Sequence, residues 1–413
     1  MNVLGVPVEF ILFALMLGGV AIFHHHTLRV SLLGLAAIVC YKLAFVGFEA
    51  GPGLKGLLGQ LGHEWVILSN LLFLLMGFAL LADHFESSQL PARLPEFLPR
   101  DWKGGFALLG LVWILSSFLD NIAGALIGGA MAHQLFRGKV HVAFVAAIAA
   151  AANAGGAWSV IGDTTTTMMW IAGIAPRRVL EAIIPAAVAL FIFGIPAARR
   201  QQKHSPMMEP PLDRPAVDWL RVFLVAIVLV LTIAVNVIVN LKFPAQADHF
   251  PFLGVALCIG LLASAPFRRP DWSLLPGSLR SSIFLLALVT AASLMPVQHL
   301  PSASLKTTFA LGFLSSVFDN IPLTALALKQ GGYDWGYLAY AVGFGGSMIW
   351  FGSSAGVALC AVYQDARSVT QWLRSAWWII PAYAVGFVAM LAIWPWHPDA
   401  PATAASVPVS LTR

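Results

Sequence analysis

Charge is what this 413-residue sequence has least of: Asp, Glu, Lys and Arg make up 10% of it, against 59% hydrophobic residues and a mean hydropathy of +0.82. Soluble domains carry roughly a quarter charged residues, so the composition excludes one and implies a membrane protein. No polar stretch is long enough for a second, soluble domain. Cysteine is also scarce: Cys40, Cys258 and Cys360 lie far apart inside apolar runs, without the paired spacing of a metal or redox site, and read as packing residues. The first apolar run, Val6 to Phe23, has no basic residue ahead of it and no small-residue cleavage pattern, so it reads as a first span and not as a removable signal. Dense basic clusters are missing as well. The net charge of +5 is scattered through short loops, which points away from nucleic acid and towards orientation in a bilayer. Neither an enzyme's catalytic set nor a resident cofactor is expected.

What the sequence does hold is a series of apolar runs near the 20 residues that a bilayer-crossing helix needs. Full spans are expected near 6–23, 28–47, 63–82, 140–174 and 179–198, then 218–241, 251–267, 279–296, 333–362 and 375–395. Two further segments, about 105–135 and 304–330, carry Asp-Asn pairs in their middles and read as re-entrant hairpins, because non-helical backbone at membrane depth is tolerated only against protein or a watery cavity. With the N-terminus outside, the loops expected on the inner side hold 16 of the 24 Lys and Arg residues, as the positive-inside rule requires. Arg177 and Arg178 are the exceptions.

The halves repeat. Ser116 to Ile122 matches Ser315 to Ile321 at a constant offset of 199, and Gly155 to Asp163 is echoed by Gly345 to Ser353. Each half has five spans, an odd number, so the second enters the membrane upside down relative to the first, an architecture that recurs in secondary transporters. The expected fold is an all-α polytopic membrane protein of two inverted repeats of five transmembrane helices, each with a re-entrant helical hairpin and a broken helix. The first repeat covers 1–198, with its hairpin at about 105–135 and its broken helix at about 140–174. A polar, Pro-rich cytoplasmic linker covers 199–217. The second repeat covers 218–396, with hairpin at about 304–330 and broken helix at about 333–362, and a C-terminal tail covers 397–413.

Asp120, Asp163 and Asp319 fall in otherwise apolar segments, where each carboxylate costs about 2.5–3.5 kcal/mol on insertion scales and by default marks a pathway or site. Asp120-Asn121 and Asp319-Asn320 also suit the N-cap of a hairpin's second helix, and capping is compatible with ligation. Ser116 and Ser315 precede their aspartates by four residues and share a helical face with them. Each hydroxyl either joins the carboxylate in offering oxygen to a hard cation or bonds back to a helix carbonyl. In Asn153 to Thr167, three glycines precede a polar run, which reads as an unwound span exposing Asn, Asp and Thr oxygens. Half-helix N-termini alone attract anions, but a carboxylate at each tip turns the site towards a cation. Burial and a neighbouring cation act oppositely on a carboxylate's hold on its proton, so a buried Asp can trade a proton for Na⁺. Among lesser candidates, His24, His25 and His26 suggest a metal cluster but fall in a cytoplasmic loop, His133 reads as interfacial, and Lys42 and Glu49 are expected to reach the outer interface.

Ser116 to Ile122, Asn153 to Thr167, Ser315 to Pro322 and Gly345 to Gly356 together resemble the NhaD-type sodium/proton antiporters of the ion transporter (arsenite/citrate-like) superfamily, in order and spacing over nearly the whole chain. The resemblance implies a homodimer in the bacterial inner membrane, with a scaffold and a moving part, exchanging Na⁺ or Li⁺ for H⁺. It points to Ser116, Asp120, Asn121, Asn153, Asp163, Thr165, Thr166, Ser315, Asp319, Asn320, Ser347 and Ser353 as cation- and proton-binding residues, with Na⁺ in the region of Asp120, Asp163 and Asp319. Val160 stands where that family often has proline, and Asn70 stands near where an acidic residue is expected in the third span. The alternative is an anion transporter of the same superfamily, of carboxylate, arsenite or sulfate type.

Overall fold

The computed structural model describes residues 2–3, 5–23, 26–207, 216–247 and 249–399. His24 and His25 of the histidine run, residues 208–215 of the linker and residues 400–413 of the tail lie outside the described residues. Apart from a two-residue strand pair, Asn2–Val3 with Val6–Pro7, the described elements are helical.

The first group of helices is α1 (Val8–Ile22), α2 (Thr27–Tyr41) and α3 (Gly53–Glu86). At 34 residues, α3 is about 51 Å long against a hydrocarbon core of about 30 Å, so it tilts or projects beyond the core. A single turn, α4 (Leu90–Arg93), leads to α5 (Trp102–Ser116) and α6 (Asn121–Leu135), then α7 (Val142–Gly156) and α8 (Thr164–Ile171), a turn α9 (Pro176–Leu180) and α10 (Ile183–His204). The later half supplies α11 (Trp219–Lys242), a turn α12 (Pro244–Ala247), α13 (Phe252–Ser264) and α14 (Leu275–Ser293). It ends with α15 (Leu305–Ser315), α16 (Asn320–Gln330), α17 (Trp335–Gly345), α18 (Ser354–Val362), α19 (Val369–Ala376) and α20 (Ile379–Ile393).

By length and composition this is a multi-pass membrane protein, and among the described residues several of its apolar runs are interrupted or shorter as helices than a full crossing. Among the described residues, five helical stretches are each long and apolar enough to cross alone, α19 with α20, bent by 57°, adds a sixth if counted as one span, and four shorter apolar helices accompany them. The runs at 6–23 and 251–267 yield helices of only 15 and 13 residues, because Pro7 precedes α1 and Pro251 and Pro266 bracket α13. The run at 140–174 is split at residues 157–163 and the run at 333–362 at 346–353. The helix α10 runs on through Arg199 to His204 into the stretch expected as a linker, since Ala, Arg, Gln and Lys all favour helix.

Two packed bodies result. One joins α5, α7, α10, α15, α17 and α20, and every residue of α7 and α17 is buried in it. The other joins α1, α2 and α14, with Phe13, Met16, Ile38 and Leu288 at its centre. The chain's halves interlock, with α6 packed on α18 and α16 packed on α8. Asn70 does not stand free in the position expected of an acid. It is buried in α3 and its Oδ1 accepts the Gly254 N–H at 2.9 Å, satisfying a donor in the first turn of α13. Lys42 does not reach outwards either: it is buried, and its Nζ donates to the Leu294 carbonyl at 3.1 Å, where the C-terminal end of α14 favours a cation. At the start of α11, the Arg268 guanidinium donates to Asp218 at 2.6 Å and holds that carboxyl below the usual carboxylate range.

Candidate functional site

Four helix N-termini, those of α6, α8, α16 and α18, are joined by hydrogen bonds into one cluster, and each is capped by a side chain. Asp120 accepts from Ile122 N at 3.3 Å, Asp163 from Thr165 N at 2.9 Å, Asp319 from Ile321 N at 3.0 Å and Ser353 from Gly356 N at 3.2 Å. The caps form because each preceding segment leaves helical geometry. Residues 117–120 and 316–319 turn the two hairpins, and the glycine-containing breaks end α7 and α17. Gly162 and Gly352 are required there by close approach, since a Cβ would meet the Ser116 carbonyl at 2.6 Å and the Ser316 carbonyl at 2.5 Å. Asp120 reaches its place with φ of +93°, a conformation that costs a non-glycine residue about 1–3 kcal/mol and is found where surrounding structure enforces it.

Asp163 is the centre of the network and only 2% exposed. Its Oδ1 accepts from Thr165 Oγ1 at 3.0 Å as well as from the backbone. Its Oδ2 accepts from Asn121 Nδ2 at 3.0 Å and from Asn320 Nδ2 at 3.2 Å. The two asparagines of the duplicated Asp-Asn pairs thus converge on one carboxylate. Asn153 is the second hub: its Oδ1 accepts from Asn121 at 3.1 Å, while its Nδ2 donates to Ser347 Oγ at 3.0 Å and Ser353 Oγ at 2.8 Å. Asp120 and Asp319 are partly exposed, and Asp319 Oδ2 also accepts from Ser354 Oγ at 3.3 Å.

Not every residue singled out from the sequence meets this network. Ser116 Oγ donates to the Ala152 carbonyl at 2.6 Å and Ser315 Oγ to the Val342 carbonyl at 2.7 Å, so each staples a hairpin to the neighbouring broken helix. Thr166 Oγ1 donates to the Ser159 and Asp163 carbonyls at 2.6 and 2.9 Å and closes the break on itself. His133 and His26 are exposed.

A cavity of about 390 Å³ connects the cluster to the surface. Asp120, Asn121, Asp163, Asn320 and Ser354 lie along it, and so do Asp83 and Glu86 at the C-terminal end of α3 and Ser278, Ser281 and Ser282 of α14. Leu71, Leu74, Phe78 and Leu285 contribute to an otherwise apolar lining. The sequence reading passes over Asp83, Glu86, Ser354 and the α14 serines. Their signal is present only as polar residues at the ends of apolar runs, where solvated side chains are also common.

Electrostatically, four helix N-termini amount to about +2 elementary charges, set against three carboxylates. The balance of about −1 with all three ionised suits one monovalent cation, and one added proton removes it. Asn121 and Asn320, having donated their N–H groups to Asp163, retain carbonyl oxygens, the hard donors that an alkali or alkaline-earth cation prefers.

No family model matches the chain. Over most of its length it is similar to proteins named as sodium/proton antiporters. Sodium/proton antiporter 1 of Arabidopsis thaliana is 23% identical, over 95% of this chain and 73% of the relative. Sodium/proton antiporter 2 of the same plant is 25% identical, over 83% and 89% respectively. The Na(+)/H(+) antiporter NhaD of Alkalimonas amylolytica is 27% identical, over 78% and 77%.

Proposed function

We propose that this protein is a secondary active transporter that exchanges Na⁺ or Li⁺ for H⁺ across the bacterial inner membrane, built from two inverted repeats and working as a homodimer. The observation that carries the reading is the convergence of Asn121 and Asn320, one from each hairpin, on the buried carboxylate of Asp163. The names and extent of the similar proteins support the same ion pair.

The mechanism follows from competition. A cation held by Asp163 and Asp120 and the carbonyl oxygens of Asn121 and Asn320 balances the site's surplus negative charge, and a proton on one carboxylate does the same. The two therefore exclude each other, and a site that is carried across only when neutralised exchanges one for the other. Asp120 and Asp163 titrate as a coupled set in this scheme. The cavity reaches the C-terminal end of α3 and the first turns of α14, the side to which the loop charges assign the cytoplasm, which supports reading this state as inward-open. Interlocked packing of α6 on α18 and α16 on α8 ties the two breaks into one unit.

Reconstitution into vesicles with a lumenal pH dye tests the proposal. Na⁺ or Li⁺ added outside is expected to move protons while K⁺ does not. A response to a carboxylate, arsenite or sulfate, with none to Na⁺ or Li⁺, assigns the protein to anion transport instead.

A further inference from the structure

At the far end of α17 from Asp163, three stretches of chain meet: the α9–α10 junction, the turn before α17 and the segment after α20. They bring together Glu181, Asp334 and His397, one ligand atom from each lying within 4.8 Å of the others. His397 is fixed by its backbone, whose N–H donates to Asp334 Oδ2 at 2.9 Å and whose carbonyl accepts from Arg178 Nη2 at 2.5 Å. Its ring Nδ1 lies 2.6 Å from the Pro395 carbonyl and 2.9 Å from Asp334 Oδ2. Both are acceptors, so Nδ1 carries a proton. Nε2 is then left facing Glu181, both of whose carboxylate oxygens lie 3.3 Å away. With the ring proton on Nδ1, the Nε2 lone pair and the Glu181 carboxylate face one another as two ligand atoms that a bound cation can share.

Asp334 adds an independent sign. Its side chain is 0% exposed and its Oδ1 has no hydrogen-bond partner, a buried charge that costs several kcal/mol if uncompensated. The neighbouring Arg178 guanidinium favours the charged form from a distance but makes no hydrogen bond to Asp334. Arg178 is directed at Asp399 Oδ1, 3.0 Å away, and at the His397 carbonyl, and Asp399 is held in turn by Trp335 Nε1 at 2.6 Å.

We propose that Glu181, Asp334 and His397 form a binding site for a divalent transition-metal ion of the zinc class, with His397 Nε2 and one oxygen of each carboxylate as ligands. One imidazole and two carboxylates are a donor set that Zn²⁺ accepts, with a fourth position open to water. The Nδ1–H directed at a backbone carbonyl is the outer bond that usually orients a metal-binding histidine. The His397 side chain is 37% exposed, which gives the ion a way in. Once bound, the ion ties the segment after α20 to the starts of α10 and α17.

The test is calorimetric titration of the full-length, chelator-stripped protein in detergent at pH 8 with Zn²⁺, and with Mg²⁺ as control. One saturable Zn²⁺ site per chain is expected, with a higher thermal midpoint on binding and no saturation by Mg²⁺. His397→Ala, at a partly exposed position, and Glu181→Gln are each expected to weaken binding at least tenfold, whereas Asp163→Asn leaves it unchanged, which separates this site from the transport reading. Lack of saturable Zn²⁺ binding, or undiminished binding in both cluster variants, overturns the proposal. A thermal midpoint that does not respond to Zn²⁺ overturns it too.

Discussion

Where α7 breaks, the following half-helix α8 is capped by Asp163, whereas where α17 breaks, on a similar Gly-Gly and Gly-containing frame, α18 is capped by Ser353. The hub position differs in the same direction: Asn153 of α7 corresponds to Gly343 of α17, whose missing side chain leaves room for Ala157, 3.0 Å from where a Cβ would sit. In consequence the earlier break supplies the buried charge and the hub amide, and the later one supplies Ser347 and Ser353 as partners for that amide. Both hairpins, in contrast, keep their Asp-Asn pairs, with the aspartate capping the second helix and the asparagine donating to Asp163. Two frames can therefore share a backbone plan while only one holds the central charge.

The largest expected effect comes from removing that charge. Asp163→Asn retains an oxygen to cap α8, so the protein is expected to keep its elution volume and thermal midpoint while Na⁺-driven proton movement falls at least a hundredfold. Near-normal exchange in that variant would remove the asymmetry from the mechanism. A sharper form is the exchange of caps, Asp163→Ser with Ser353→Asp. If the breaks were equivalent this double variant would recover activity, and it is expected not to, because Asn121 and Asn320 both address position 163.

Next come the two asparagines. Hydrogen bonds to a charged group contribute about 1.5–3 kcal/mol, which is about 10–150-fold in an equilibrium constant. Asn121→Ala is expected to reduce exchange further than Asn320→Ala, because Asn121 bonds to Asn153 as well as to Asp163. Initial rates at several Na⁺ concentrations decide this, and equal losses would show that the Asn153 hub contributes nothing.

The glycines of the breaks are expected to behave alike and so to bound the comparison. Gly162→Ala and Gly352→Ala each force a methyl against a hairpin carbonyl and are expected to destabilise the protein by about 1–3 kcal/mol, measured by unfolding in detergent. The smallest effects belong to Ser116→Ala and Ser315→Ala. Each loses one buried hydroxyl-to-carbonyl bond, about 1 kcal/mol, with exchange nearly intact. A collapse of exchange in either would return the serine hydroxyls to the ion path.

The sequence makes the aspartates, the glycine breaks and the Asp-Asn pairs conspicuous, because acids and helix-weakening residues are costly in apolar segments and stand out against them. Partnership is another matter. Asn153 meets Ser353, Asn320 meets Asp163 and α6 meets α18 across separations that no local periodicity encodes. Ser116 shows the limit well: its spacing from Asp120 fits a shared helical face, but α5 ends at Ser116 itself, so the four-residue rule stops applying where it was needed. Asn70 is similar, since only the arrival of the α13 N-terminus from far along the chain explains an amide there. Helix lengths were obscured for a different reason: an apolar run shows where a chain avoids water, while proline and glycine within or beside it decide how much is one helix.

The bond from Asn320 to Asp163 spans 157 positions, and this has a meaning in time as well as in space. At about 5–20 residues per second, a ribosome places the second asparagine roughly 8–30 s after the carboxylate it will serve. Over that interval the newly inserted α7 and α8 carry Asp163 with Asn121 as its only amide partner from a hairpin, and the packing of α8 against α16 has not yet formed. The earlier half is thus held in the membrane unfinished, and the later half completes it.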